Sequence, residues 1–302
     1  MGSTFATNMN PNWLGVTSSI LAIVAFFVVY STAKNRPTKT RILLALLALV
    51  AAIPGASFAT YYAHILPEPS WYYQFRSITG TEILVLFLGV AGGLASTLLP
   101  QVVRILPLLG VAAFSIVPYI KPFIGPIAGD VLKDQWDDAI CLQSTSSTCG
   151  AASTATILRY LGGEATESEL AAEAHSYNGG TEAWYLARSA RSRGFDVHFD
   201  FTTSFSPGGG LPAVVGVRLG TIGHFIAILG REGDTFLVGD PLIGRELLSL
   251  EDLQQRYAFT GFHMRIKNKG EQIAAADRES LHSFTSTTTF SPGGRARRSP
   301  NT

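Results

Sequence analysis

Gln143-Ser-Thr-Ser-Ser-Thr-Cys149-Gly-Ala-Ala-Ser-Thr-Ala-Thr-Ile-Leu-Arg-Tyr-Leu-Gly-Gly163 carries one of the two cysteines in this 302-residue chain. Cys149 follows a hydroxyl-rich loop and opens a run of small residues with helical character. Thr148 or Ser147 is placed to cap that run, and Gly162 or Gly163 to close it. A side chain on the first helical turn faces unpaired backbone N–H groups and the positive end of the macrodipole, which stabilise negative charge there. Sulfur acts as a nucleophile in its anionic form. The stretch therefore reads as a nucleophile segment if the chain also supplies a base, a group to orient it and an oxyanion donor.

Downstream the pattern is helical and then alternating. Thr166-Glu-Ser-Glu169 is a capping box opening a short helix that runs to about His175, and Thr181 can cap another that Gly194 stops. Phe195, Val197, Phe199 and Phe201 then share one face of a strand. Ala213 to Leu219, Gly223 to Leu229 and Thr235 to Gly239 read as strands, the last two joined as a hairpin across Gly230 to Asp234. Ser249 caps a short helix to about Tyr257, and Thr260 to Ile266 closes the sheet. Helices followed by antiparallel strands make an α+β domain.

A cysteine nucleophile is usually served by a histidine whose ring is held by a carboxylate or amide. Of the six histidines, His224 opens the apolar run His-Phe-Ile-Ala-Ile-Leu behind Gly223, at a strand edge. Asp240 ends the next strand in Val-Gly-Asp-Pro. A hairpin places the start of one strand beside the end of the other, so His224 and Asp240 become neighbours. Each alone has a plain structural reading, as an edge histidine and a turn aspartate. In the order Cys, His, Asp they read as a triad.

The residues before Asp130 have a different character. Hydrophobic residues form 47% of the chain and charged residues 15%, and nearly all the apolar excess lies in this part. Trp13 to Thr32, Ile42 to Ala59 and Ile83 to Leu99 are long enough to span a bilayer. Ile105 to Ile120, with Pro107 and Pro118, reads as a fourth span or as a re-entrant segment. No basic residue precedes the first run, which argues against a cleaved signal peptide. Lys34, Arg36, Lys39, Arg41 and Arg104 mark cytoplasmic loops. With four spans the rest of the chain is extracytoplasmic, and with three it is cytoplasmic. Trp71, Tyr72 and Tyr73 suit an interfacial aromatic belt. No ionisable residue interrupts the middle of a run, which gives a transport pathway little support. The part thus reads as an integral anchor in the cell membrane, with the lipid bilayer as a partner. Net charge is +1, so no bulk field points to nucleic acid. No Cys/His spacing points to a metal, and no cofactor is implied.

Gln143, Cys149-Gly150, Ala152 and Tyr160, followed by Gly-His-Phe and Val-Gly-Asp-Pro-Leu-Ile-Gly, resemble the three motifs of the bacteriocin-processing, double-glycine leader peptidases. These are papain-like cysteine peptidases best known as domains of peptide-exporting ABC transporters. The resemblance spans about Ile140 to Lys267. It implies Cys149 as nucleophile, His224 as general base and acid, Asp240 as orienter, and Gln143 with the Cys149 N–H as oxyanion donors. It also implies a peptide or protein substrate cut after Gly-Gly. Three departures stand out. Thr148 replaces the usual acidic residue before the cysteine, the domain follows the spans instead of preceding them, and no Gly-x-x-x-x-Gly-Lys-Ser/Thr is present. A separate membrane or transporter partner would have to supply any export.

The expected organisation is an anchor of about four helices over 1–122, a linker over 123–138, an α+β papain-like peptidase domain with an antiparallel sheet over 139–269, and a disordered tail over 270–302. The leading function is a membrane-anchored cysteine peptidase working through a Cys149 acyl-enzyme. Competing readings are a silent peptide-binding domain and a cysteine acyltransferase or amidase. Cys141, eight residues before Cys149, is a buried small residue or the partner in a disulfide that would block the nucleophile.

Overall fold

The structure, a computed structural model, describes residues 10–62, 65–206 and 208–269. The expected tail over 270–302 and the first nine residues of the expected anchor lie outside these. The chain begins with α1 (Trp13–Ala33), α2 (Thr38–Tyr62) and α3 (Ser70–Arg76). Next come α4 (Leu86–Leu98), entered through a 3-10 turn at Thr81–Val85, then α5 (Leu106–Ile116) and the short α6 (Lys121–Ile124). Among the described residues, four helical stretches are long and apolar enough to cross a membrane: Trp13–Ala33, Thr38–Tyr62, Thr81–Leu98 and Gln101–Tyr119. The fourth run, left open between a span and a re-entrant segment, thus has the length of a span. In three of the four, fewer than a third of the residues in the apolar window are buried within the protein. So much outward apolar surface suits contact with lipid.

Small residues set the packing among these helices. A Cβ on Gly89 would stand 1.9 Å from the Ala22 carbonyl oxygen, and one on Gly93 2.6 Å from that of Phe26. The Gly-x-x-x-Gly spacing on α4 therefore lets α1 approach at backbone contact. Pro54 lies inside α2 without ending it.

The remaining elements are β1 (Gln135–Asp137), β2 (Ile140–Leu142), α7 (Cys149–Tyr160), α8 (Glu167–Glu173), α9 (Ala183–Ser192), β3 (Phe195–Phe201), β4 (Ala213–Leu219), β5 (Ile222–Glu232), β6 (Thr235–Asp240), β7 (Gly244–Ser249), α10 (Leu250–Arg256) and β8 (Ala258–Asn268). This is the expected α+β order. The main sheet runs β3-β8-β4-β5-β6-β7, antiparallel throughout. Strand alternation splits its core: Val214, Ala227 and Leu229 face one cluster with α7 and α9, whereas Val215, Ile226 and Ile228 face another with Leu253 and Tyr257. Capping boxes at Thr166/Glu169 and Ser249/Asp252 start α8 and α10 as read from the sequence. The β1–β2 hairpin and β7 are additions the sequence pattern did not reveal.

Three local expectations are corrected. Thr148 occupies the N-cap position of α7 without making a side-chain cap, because its hydroxyl turns back to the Thr145 carbonyl at 3.1 Å. Thr181 does not cap α9, whose N-cap is Glu182. Of the three aromatics placed in an interfacial belt, Trp71 is 67% exposed, but Tyr72 and Tyr73 are buried. Tyr73 belongs to the core of the α+β domain, with its ring 5.3 Å from Phe262 and 5.4 Å from Phe199.

The two halves meet through polar contacts as well. Arg188 on α9 donates to Glu82 Oε1 at 2.7 Å and to the Arg76 carbonyl at 2.7 Å. Asn12 donates to Glu82 Oε1 at 3.0 Å and to the Tyr185 hydroxyl at 2.9 Å. Glu82 and Arg76 are fully buried, and the Arg76 guanidinium lies 3.7 Å from the centre of the Phe58 ring. The connecting segment 123–138 is tied down. The Asn178 N–H donates to the Gly125 carbonyl at 2.6 Å, and the Ser168 N–H to Asp134 Oδ1 at 2.8 Å.

Candidate active site

Cys149 is the first residue of α7, His224 lies near the start of β5, and Asp240 ends β6. The β5–β6 ladder pairs Ala227 with Gly239, so Asp240 lies beside the start of β5. His224 Nε2 and Asp240 Oδ1 stand 2.9 Å apart, as the hairpin register requires. Both are buried, His224 at 6% exposure and Asp240 at 0%. With Nε2 committed to the carboxylate, Nδ1 is the ring nitrogen left for Cys149, whose sulfur also interacts with the imidazole.

Small residues bring the helix to the strand. A Cβ on Gly150 would stand 3.0 Å from Leu186 Cδ1 and 3.3 Å from the Phe225 ring, and Ala151 and Ala152 are fully buried. Ser153 Oγ then donates to the Phe225 carbonyl at 3.0 Å, locking α7 against β5 beside His224.

Burial alone would push the His224 pKa down. The Asp240 hydrogen bond and the nearby Cys149 sulfur outweigh it and hold the imidazole up at about 9. Burial would raise Asp240, but bonds from His224, the Tyr257 hydroxyl and the Leu242 N–H hold its carboxyl below the ordinary range. The Tyr257 hydroxyl donates to Oδ2 at 2.7 Å and the Leu242 N–H to Oδ1 at 2.9 Å. A carboxylate with three donors is fixed both in charge and in direction.

Gln143 is not brought onto the wall of the cavity that holds Cys149 and His224. Its amide Nε2 donates to the Thr145 carbonyl at 2.7 Å, while Oε1 is buried with no hydrogen-bond partner among the described residues. Its backbone is anchored near the pair, since the Gln143 N–H donates to the Pro241 carbonyl at 3.0 Å. The next residue is clamped by fully buried Glu167, which accepts from the Ser144 N–H at 2.6 Å and the Ser144 hydroxyl at 2.5 Å.

Tyr257 and Glu167 are the site residues that sequence reading missed. Tyr257 follows α10 with no local signal of its long-range bond. Glu167 hides in the first turn of a capping box, where an acidic residue is ordinary. Cys141 and Cys149 are both free thiols. Cys141 sits on β2 with its N–H on Thr156 Oγ1 at 2.9 Å, and burial, with the Glu167 charge, pushes its thiol up to about 12. No cluster of three His, Cys, Asp or Glu residues able to hold a metal occurs among the described residues.

The cavity has a volume of about 460 Å³. Beside Cys149 and His224 it is lined by Phe225 and Thr260 from the sheet and, from the apolar half, by Tyr61, Tyr73 and Lys121. An α+β domain with a helix-borne thiol facing a carboxylate-backed imidazole has the arrangement of a cysteine hydrolase. Residues 137–269 match the model of the Peptidase C39 family. An uncharacterized protein of Methanothermobacter thermautotrophicus is 31% identical over 130 residues, 41% of this chain and 85% of that one. Another, from Methanothermobacter marburgensis, is 30% identical over 115 residues, 36% of this chain and 75% of that one. The chain belongs to the Peptidase C39 family through this domain.

Among solved structures, the peptidase domain of Streptococcus ComA, a bi-functional ABC transporter involved in a quorum-sensing pathway, is similar. It has a TM-score of 0.37 and 20% identity, covering 42% of this chain and 96% of that one. A double glycine motif protease from an AMS/PCAT transporter, in complex with the leader peptide, has a TM-score of 0.36 and 19% identity over 46% of this chain and 92% of that one.

Proposed function

We propose that the protein is a membrane-anchored cysteine peptidase that cleaves peptide bonds through a thioester on Cys149. The observation that carries this reading is the 2.9 Å His224–Asp240 pair beside the Cys149 sulfur, within a domain of the Peptidase C39 family. An imidazole titrating near 9 keeps its proton at neutral pH and presents positive charge to the sulfur. The anionic sulfur attacks the scissile carbonyl carbon, and the carbonyl oxygen takes the negative charge. The Cys149 N–H at the start of α7 is one donor to that oxygen. Gln143 is the second, if its amide swings from the Thr145 carbonyl when substrate enters. Collapse of the adduct breaks the C–N bond, and the imidazolium gives its proton to the leaving amine. Neutral His224 then deprotonates water, which attacks the thioester and releases the carboxylate product and Cys149.

Cleavage after a Gly-Gly pair is the form this takes by the motif resemblance. The basic residues support an extracytoplasmic catalytic domain. Arg41 donates to the Thr97 carbonyl at 2.5 Å and Arg104 to the Tyr30 hydroxyl at 3.2 Å, which groups both at the end of the helices away from Asn12 and Tyr61. Basic loops favour the cytoplasmic side. The test is peptide turnover by the full chain in proteoliposomes. It should vanish in Cys149→Ala with the melting temperature unchanged, and turnover retained in that variant would end the reading.

A further inference from the structure

The cavity around Cys149 is built partly by the ends of two spans. Tyr61 is the penultimate residue of α2, and Lys121 starts α6 two residues after the fourth apolar stretch ends at Tyr119. Both line the same cavity as Cys149 and His224. They also converge on one carboxylate of the catalytic domain: the Tyr61 hydroxyl and Lys121 Nζ each stand 3.4 Å from Glu182. Lys121 Nζ lies 4.0 Å from the centre of the Tyr62 ring and donates to the Tyr177 hydroxyl at 2.9 Å. Tyrosines and a lysine at helix ends are the side chains that settle at headgroup depth.

The height of this cavity above the helices is fixed. Arg188 bridges to Glu82 and Arg76, Asn178 holds Gly125, and Ser168 holds Asp134. The first set joins α9 to the stretch between the second and third apolar helices, and the other two pin the connecting segment, so the two halves are held at more than one point. Tyr61 and Lys121 therefore set the cavity that holds Cys149 directly against the ends of these two helical stretches.

We propose that the substrate is a membrane-tethered peptide whose scissile bond lies close to the segment that enters the bilayer. This rests on the peptidase reading above. A chain anchored at that distance arrives at the cavity with a high effective concentration, whereas a tether too short to reach has none. A soluble peptide gains nothing from the placement.

The test uses the full chain in liposomes with a randomised eight-residue segment as probe. The segment is joined at either end to a polyleucine transmembrane helix through a spacer of four or of twenty Gly/Ser residues, or is left soluble. Cys149→Ala is the blank, and iodoacetamide labelling of Cys149 counts active thiols. The expected result is cleavage of the four-residue form about tenfold or more faster than the soluble form, with the twenty-residue form between them. Equal cleavage of soluble and tethered forms overturns the substrate class while leaving a peptidase. Cleavage of none of them, with Cys149 still labelled, overturns the peptidase reading and the substrate class together.

Discussion

The Tyr257 hydroxyl donates to Asp240 Oδ2 at 2.7 Å, while His224 takes Oδ1. The two oxygens of one buried carboxylate are thus divided between an imidazole and a phenol. Tyr257→Phe removes the donor and leaves the ring in place. Hydrogen bonds to charged groups contribute about 1.5–3 kcal/mol, so kcat per labelled Cys149 should fall roughly tenfold, with KM unchanged. An unaltered kcat would show that Asp240 holds its direction without the phenol.

Titration of the pair sets a pH window. The His224 pKa is raised to about 9. The stability it contributes is present below about 6.5, the unfolded value, and is lost as pH rises through 9. The Asp240 pKa is lowered. Its contribution is present above about 4, the unfolded value, and disappears as pH falls through the depressed folded value. Melting temperature of the full chain in detergent should therefore fall between pH 7 and pH 10, and Asp240→Asn should flatten that fall. The alkaline limb of the turnover profile should sit near 9 in the wild type and move to lower pH in the same variant.

Gln143 holds the Thr145 carbonyl in the structure and must release it to meet an oxyanion. Gln143→Ala should lower kcat by about 10²–10³, the usual loss for one oxyanion donor. Labelling of Cys149 by iodoacetamide, which forms no oxyanion, should keep its rate. Loss of both would mean that the residue shapes the loop instead.

Glu82 is the carboxylate between Arg188 and Asn12 at the junction of the halves. Glu82→Ala leaves the Arg188 charge, 14% exposed, beside fully buried Arg76. Removing one partner of a buried ion pair costs about 3–5 kcal/mol. The variant should melt well below the wild type, whereas Asp252→Ala, which removes only the N3 member of the capping box at the exposed start of α10, should melt close to it. Equal melting temperatures would remove the junction from the account of stability.

Much of the α+β domain could be read from one dimension because its signals are local. The alternation of Phe195, Val197 and Phe199, the boxes at Thr166 and Ser249, and the hairpin joining His224 to Asp240 all act within a few residues or one turn. Gln143 was named by motif, but its present bond to Thr145 depends on how the loop folds on itself, which spacing does not encode. The long-range roles of Tyr257, Glu167 and Tyr73 are hidden from the sequence for a shared reason: each finds its partner through tertiary contact, and each has an ordinary local explanation. Tyr73 was the most misleading, since an aromatic run between two spans suits a bilayer interface as well as it suits a protein core.

That tyrosine has a consequence for how the two halves can evolve. Its ring packs among Phe199, Phe201 and Phe262, so part of the filling of the α+β domain is encoded in the loop between the second and third apolar helices. Recombination that cut the gene near codon 137 would leave an aromatic socket open to water, and a free-standing descendant would need new residues to refill it. A change of side-chain volume in α3 at Tyr73 should therefore be felt in the packing of β3 and β8.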